Sequence, residues 1–319
     1  MSATEVAPVE QAAAVLGPLA LRDVPIGPMT TYRVGGAAAL FVRASSIEDL
    51  RVVAAAVQAS AVPVLIVGRG SNLLVADEGF DGLAVALGDI GDRLDMNGLD
   101  VEAGAGLLLP VLARRTAAAS LTGLEWAVGV PGSVGGAVRM NAGGHGSDIA
   151  ATLQSVDLVD LATGAEAQGV PVERIGLRFR GSSLGDLQIV VRAHFRLAAG
   201  DRVASEREIA EIVRWRREHQ PGGQNAGSVF VNPIPGQLAA GELVDDLGLR
   251  GFRIGTAHVS DKHANFIQAD DGGRAADVRA VIEHVRARVA AEHGITLRSE
   301  VRLVGFADSP VPAPGIELA

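Results

Sequence analysis

Seven glycines crowd one stretch of the chain, at Gly129, Gly132, Gly135, Gly136, Gly143, Gly144 and Gly146. Each glycine inside a helix or strand costs roughly 0.5–1 kcal/mol against alanine, so the stretch reads as loop rather than element interior. What glycine returns is close approach of the main chain to a ligand. Pro131 stiffens the entry, while Ser133 and Asn141 set short polar side chains beside the bared amides. Such a run suits a large, polar, anionic cofactor held through main-chain N–H groups. A long glycine-rich surface loop is the competing reading.

A second loop, Gly68-Arg69-Gly70-Ser71-Asn72, follows the apolar run Pro63–Val67 and weakens that alternative. Its Gly-x-Gly opening fits a dinucleotide fingerprint only in part. Leu73 occupies the third glycine position, and Leu73-Leu-Val-Ala76 reads as extended rather than helical. No lysine follows either loop, which removes the P-loop. What remains is a nest of N–H groups flanked by Ser71 and Asn72, able to hold a phosphate or pyrophosphate.

Composition excludes several chemistries. The net charge of −9 argues against nucleic-acid or membrane-surface partners. With no cysteine, disulfides, iron–sulfur clusters, cysteine zinc sites and thiol catalysis are out. The seven histidines show no metal-ligand spacing, so no metal site is expected. Met1–Val15 lacks the basic start and apolar core of a signal peptide, and no run of about 18 apolar residues suggests a membrane span. A cytoplasmic chain is the expectation.

The loops require elements to hold them. A strand at Ala38–Val42, a helix from Ser46 to Ser60 opened by a Ser46/Asp49 capping box, and a strand at Pro63–Val67 make an α/β unit. Short β-like runs follow at Leu83–Leu87, Leu99–Ala103, Leu153–Leu161 and Ile189–Leu197, interrupted by a helix near Leu108–Ala119. A third region opens with a capping box at Ser205-Glu-Arg-Glu208, whose helix Pro221 stops, and a linker-like turn at Gly222–Gly227. It continues through helices at Ala239–Leu247 and Ala275–His293, a strand at His263–Gln268, and a closing strand at Arg298–Gly305. The fold class expected is α+β.

Five motifs in order now resemble one family. They are Gly68-Arg-Gly-Ser-Asn-Leu-Leu-Val75, Gly129-Val-Pro-Gly-Ser-Val-Gly-Gly136 with Met140-Asn-Ala-Gly143, Asn225-Ala-Gly-Ser-Val-Phe230, Lys262-His-Ala-Asn-Phe-Ile267 and Ser299-Glu-Val-Arg302. Together they resemble the UDP-N-acetylenolpyruvoylglucosamine reductases over roughly residues 30–305. The resemblance implies non-covalent FAD in a two-subdomain fold of the vanillyl-alcohol-oxidase type, a C-terminal α+β substrate domain, and NADPH as co-substrate. It also implies a step of peptidoglycan precursor synthesis acting on a UDP-sugar. The division it suggests is a flexible leader at 1–18, FAD-binding subdomains at 19–82 and 83–203, and a substrate-binding domain at 204–297. A strand at 298–306 then returns to the FAD domain, and 307–319 form a loose tail.

The resemblance also implies roles. Arg180, Ser228 and Glu300 match the catalytic arginine, the proton donor and the carboxyl partner. Gly68, Arg69, Gly70, Ser71, Asn72 and Leu73 match the first cofactor loop. Gly129, Val130, Pro131, Gly132, Ser133, Gly135, Gly136, Ala137, Asn141 and Gly143 match the second. Asn232 matches a substrate-contacting asparagine. Apart from the resemblance, Lys262, Arg250 and Arg253 are candidates for contact with the UDP phosphates, with solvated surface charge the equal alternative. The chain departs from the family pattern at Val231 and His219, where lysine is common, and at His145, where an aromatic is. No tyrosine-bearing insertion fits between Ser183 and Ile189, which marks the short form of the family. Two other readings remain: a flavin oxidase of a small alcohol or sugar on the same fold, and a catalytically silent flavin-binding module.

Overall fold

The structure is a computed structural model and describes residues 7–307, 313 and 315–318. Its first element, α1 (Pro8–Leu16), carries Pro8 at the start, where a missing N–H is harmless. Ala12 and Leu16 lie one turn apart and are fully buried in the cluster that also holds Leu50, Val53 and Val57. The reading of 1–18 as a flexible leader is therefore corrected for residues 7–18, while 1–6 lie outside the described residues.

The first sheet joins β1 (Leu21–Pro25), β2 (Ala37–Ala44), β3 (Val64–Val67) and β5 (Phe80–Leu87) in the order β1-β2-β5-β3. Both β2 and β3 run parallel to β5, and β1 is antiparallel to β2. The connection through α2 (Ile47–Ser60) begins at a reciprocal cap: the Asp49 amide donates to Ser46 Oγ and the Ser46 amide to Asp49 Oδ2, both at 3.1 Å. The short strand β4 (Leu73–Val75) stands apart from this sheet.

The second sheet is antiparallel throughout. It is built from β6 (Leu94–Asn97), β7 (Asp100–Gly104), β11 (Leu153–Asp160), β12 (Glu166–Pro171) and β13 (Gln188–Arg196), ordered β12-β11-β13-β7-β6. Between β7 and β11 the chain forms α3 (Leu109–Ala118), β8 (Leu121–Thr122), α4 (Val134–Met140) and the small hairpin of β9 (Gly143–Gly144) with β10 (Ser147–Asp148). The strand β14 (Ala198–Ala199) pairs with β8. The glycine stretch is thus not all loop. Gly135 and Gly136 sit in α4, and a side chain at Gly135 would meet Ala105 Cβ at 2.9 Å, so glycine there lets the helix close onto the end of β7.

The helix α5 (Arg202–His219) starts earlier than the Ser205 capping box suggests. Asp201 caps it by accepting from the Ala204 amide at 2.8 Å, whereas Ser205 lies inside and donates to Glu125 Oε1 at 2.6 Å. In the third region β15 (Gln224–Ser228), β16 (Arg253–Ile254), β17 (Ala257–Val259) and β18 (Phe266–Ala269) form a sheet ordered β15-β18-β17-β16. Against it pack α6 (Ala240–Asp246) and α7 (Ala275–His293), whose Val278, Val281, Ile282, Val285 and Val289 are buried at helical spacing.

Two contacts dock this region onto the first. The last strand, β19 (Arg302–Val304), runs parallel to β4 with Arg302 opposite Leu73. Asp77, from the turn after β4, accepts from the Ala275 and Ala276 amides at 2.8 and 3.1 Å and so caps α7 from another part of the chain. Tyr32, Val34 and Leu74 accordingly share one buried cluster with Val229, Phe230 and Val301. The described part of the tail is held as well. The Ala313 amide donates to Asp186 Oδ2 at 2.9 Å, the Ile316 amide to Gln188 Oε1 at 3.0 Å, and Ile316 and Leu318 pack on the second core. Those residues correct the reading of 307–319 as loose; 308–312, 314 and 319 lie outside the described residues. Among the described residues, no helix is long and apolar enough to cross a membrane.

Candidate active site

The two glycine loops face each other. A side chain at Gly68 would strike Ser133 Oγ at 2.5 Å, so glycine there keeps the gap open, and a Cβ at Gly132 would stand in ordinary contact with Ser71 Oγ at 3.5 Å. The central loop is held rigidly along this edge: the Leu109 amide donates to the Gly132 carbonyl at 3.0 Å and the Val134 amide to the Leu107 carbonyl at 2.9 Å. Among the described residues, nothing accepts from the amides of Arg69, Gly70, Ser71, Asn72, Gly132 or Ser133. Six free N–H groups on two fixed, opposed loops fit the anionic diphosphate of a flavin dinucleotide.

The remaining residues of the expected cofactor set have other environments. The Val130 amide closes a turn on the Ala127 carbonyl at 3.1 Å, Pro131 is exposed, and Ala137 is buried within α4. Leu73 begins β4 and pairs with Arg302. Asn72 Nδ2 donates to the Glu300 carbonyl at 2.8 Å, so the first loop fixes the backbone of a second site residue. Asn141 is buried and committed at both ends: Nδ2 donates to Asp148 Oδ2 and the Arg178 carbonyl at 3.1 and 3.3 Å, and Oδ1 accepts from the Ala150 amide at 3.1 Å. Its side chain braces the loop that carries Arg180 and has no donor left for a ligand.

That loop is a tight turn. Arg178 and Gly181 exchange main-chain hydrogen bonds at 2.9 and 3.1 Å, and Arg180 sits between them at φ 56°, a left-handed backbone unusual for a residue with a side chain. Arg180 Nη2 donates to the Gly143 carbonyl at 3.0 Å, its guanidinium lies 5.1 Å from the Phe179 ring centre, and Nε is 3.6 Å from Glu300 Oε1. The central glycine stretch therefore aims this arginine as well as facing the first loop.

Ser228 closes the set. It ends β15, and the next residue, Val229, accepts at its carbonyl from the Glu300 amide at 2.7 Å. The serine and glutamate thus lie on neighbouring hydrogen-bonded segments, although 72 positions separate Ser228 from Glu300 in the sequence. Burial holds the Glu300 carboxyl above the usual carboxylate range, against the opposing pull of Arg180 and Arg298.

The substrate-contact candidates do not join this cluster with free side chains. Asn232 Oδ1 accepts from the Ala240 amide at 3.1 Å and so caps α6. Lys262 Nζ donates to the Arg217 carbonyl near the end of α5. Arg250 pairs with Asp245 at 2.5 Å and Arg253 with Asp270 at 2.6 Å, both in exposed ion pairs. Lys262, Arg250 and Arg253 stay candidates for the UDP phosphates, each held here by an exposed contact within the chain.

Sequence reasoning missed the charge network behind the site. Asp186 Oδ1 accepts from Arg139 Nη2 at 2.6 Å and Arg302 Nη1 at 2.7 Å, joining α4, the Arg180 loop and the strand after Glu300. Arg139 also donates to the Leu184 and Gly185 carbonyls at 2.5 and 2.7 Å. No local pattern announces a network whose members stand 47 and 116 residues apart.

Comparison with known proteins meets this geometry. Residues 218–304 match the family described as UDP-N-acetylenolpyruvoylglucosamine reductase, C-terminal domain, and residues 38–167 match an FAD binding domain. A UDP-N-acetylenolpyruvoylglucosamine reductase from Heliobacterium modesticaldum is 42% identical over 299 residues, covering 93% of this chain and 94% of its own. One from Synechococcus sp. is 41% identical over 297 residues, covering 92% and 96%. The crystal structure of UDP-N-acetylenolpyruvylglucosamine reductase from Thermus caldophilus matches with a TM-score of 0.77 at 35% identity, over 89% of this chain and 98% of that one.

Proposed function

The chain belongs to the UDP-N-acetylenolpyruvoylglucosamine reductase family, and from that premise we propose how its residues carry the reaction and that NADPH supplies the electrons. It is an FAD-containing oxidoreductase that reduces UDP-N-acetylglucosamine enolpyruvate to UDP-N-acetylmuramate, a peptidoglycan precursor. Bound against the two glycine loops, FAD supplies hydride transfer. Saturating the vinyl bond needs a hydride at one carbon and a proton at the other, next to the carboxylate. Ser228 is the proton donor: an alcohol is a weak acid, and an enolate is basic enough to accept from it. Arg180 meets the carboxylate as its charge grows, through donors still free on the guanidinium. Glu300 in its protonated form polarises the same group. The observation carrying this reading is the convergence of Ser228, Glu300 and Arg180 from three distant segments beside the two glycine loops.

The test is the visible spectrum of the purified protein under anaerobic conditions. NADPH should bleach the flavin bands, and the UDP-enolpyruvyl sugar should restore them. Bleaching by a small alcohol or sugar but not by NADPH would replace this reading with the oxidase one.

The pH dependence follows from Glu300. Its raised folded value means that the folded state keeps a proton the unfolded chain gives up, so this contribution to stability is present at low pH and lost as pH rises through the folded value. Substrate reduction should therefore decline on the alkaline side, and Glu300→Gln, which cannot ionise, should flatten that limb. An unchanged limb in the variant's pH profile of flavin reoxidation would assign the ionisation to another group.

A further inference from the structure

The strand that ends on Ser228 is bulged immediately before it. Asn225 of β15 stands opposite Gln268 of β18 and Ser228 opposite Phe266, so β15 carries one residue more than its partner between these pairs. The extra residue falls at Ala226–Gly227. Gly227 takes φ 76°, and a side chain there would meet nothing within 4 Å, so backbone conformation rather than crowding calls for glycine. Asn225 Oδ1 accepts from the Gly227 amide at 3.0 Å and closes the bulge from within.

Side chains alternate along a strand, so smoothing out that residue would turn Ser228 to the opposite face. The ladder alone resists this weakly, because β18 begins at Phe266 and offers no regular partner beyond Ser228. Asn265 supplies the bonds that a longer strand would have made. Its carbonyl accepts from the Val229 amide at 2.8 Å, its Oδ1 accepts from the Phe230 amide at 2.9 Å, and its Nδ2 donates to the Phe230 carbonyl at 2.8 Å. Asn265 and Phe230 are both buried, so water does not replace these bonds when the side chain is lost. The Asn265 amide is itself tied down, donating to His263 Nδ1 at 3.2 Å.

We propose that Asn265 is a positioning residue for Ser228: its carboxamide clasps Phe230 and locks the bulge in the register that presents the serine hydroxyl to the substrate. This inference rests on the reductase reading, in which Ser228 gives up the proton. Asn265 acts only through the serine, and that dependence separates it from a residue that merely supports the fold.

The test is a double-mutant cycle read by stopped-flow reoxidation of the NADPH-reduced flavin with the UDP-enolpyruvyl sugar. Asn265→Ala should slow the maximal rate roughly tenfold to a hundredfold, while flavin reduction and the half-saturating sugar concentration stay within about threefold of wild type. Added to Ser228→Ala, the same change should cost less than about threefold more. Asn265→Asp opens no cavity and keeps the acceptor for the Phe230 amide while its ionised form lacks the donor to the carbonyl, so the cycle is run with it where the alanine variant does not fold. Wild-type reoxidation in the single variant, equal slowing on both backgrounds, or equal slowing of both half-reactions overturns the proposal. Failure of the wild-type protein to be bleached by NADPH and restored by the sugar overturns the reductase reading and this inference with it; a normal wild type with any of the other results strikes the role of Asn265 alone.

Discussion

Replacing Ser228 by alanine should leave NADPH-driven bleaching of the flavin intact while slowing reoxidation by the enolpyruvyl substrate roughly 10²–10⁴-fold. The split follows from where the serine sits. It terminates β15 beside the segment that carries Glu300, and no hydrogen bond from its hydroxyl to another described residue competes with a substrate. Removing one oxygen opens little space and leaves the β15–β18 pairing untouched, since Ser228 contributes to the sheet through its main chain. The loss should appear in kcat rather than in substrate affinity, because the proton moves only after hydride has been delivered. Stopped-flow reoxidation of the pre-reduced variant is the measurement. Wild-type reoxidation would remove Ser228 from the chemistry, and equal slowing of both halves would make it a support for the flavin instead.

How legible the site was depends on how local each signal is. The glycine loops announce themselves because close approach demands glycine at fixed positions in a short window, and Gly68 against Ser133 shows that demand directly. The α7 boundaries are legible because its apolar residues repeat at helical spacing to an abrupt Gly294. The start of α5 was misplaced for a physical reason: Ser205 has the right spacing from Glu208 for a capping box, but Glu125 from elsewhere in the fold claims its hydroxyl. Helix α1 was missed because the burial of Ala12 and Leu16 depends on a partner helix, not on the composition of residues 8–16. The role of Asn141 differs from expectation for the same reason, since Asp148, Arg178 and Ala150 occupy its polar atoms only once the chain is folded. Ser228, Arg180 and Glu300 carry no local signature of chemistry at all. Resemblance singled them out, and tertiary structure brings their segments together.

Arg180→Ala should slow flavin reoxidation by the substrate by about 10²–10³-fold, equivalent to the roughly 2.7–4 kcal/mol that one preorganised donor to a developing anion supplies. The arginine is held in place before any substrate arrives. Its backbone is fixed in the left-handed region, Nη2 is tied to the Gly143 carbonyl, and Nε faces Glu300. Those contacts orient the plane of the guanidinium and leave Nη1 to meet an incoming carboxylate. Lysine at this position would keep the charge but could not hold the Gly143 carbonyl, face Glu300 and bind a carboxylate in one plane. Arg180→Lys should therefore recover no more than about tenfold of the loss, a limit set by the geometry of the fork rather than by charge. Removing the guanidinium also removes one influence that lowers the Glu300 pKa, so the alkaline limb of the alanine variant should move to higher pH. A lysine variant with wild-type reoxidation would show that charge alone suffices, and an alanine variant with an unshifted limb would separate Arg180 from Glu300 in the working enzyme.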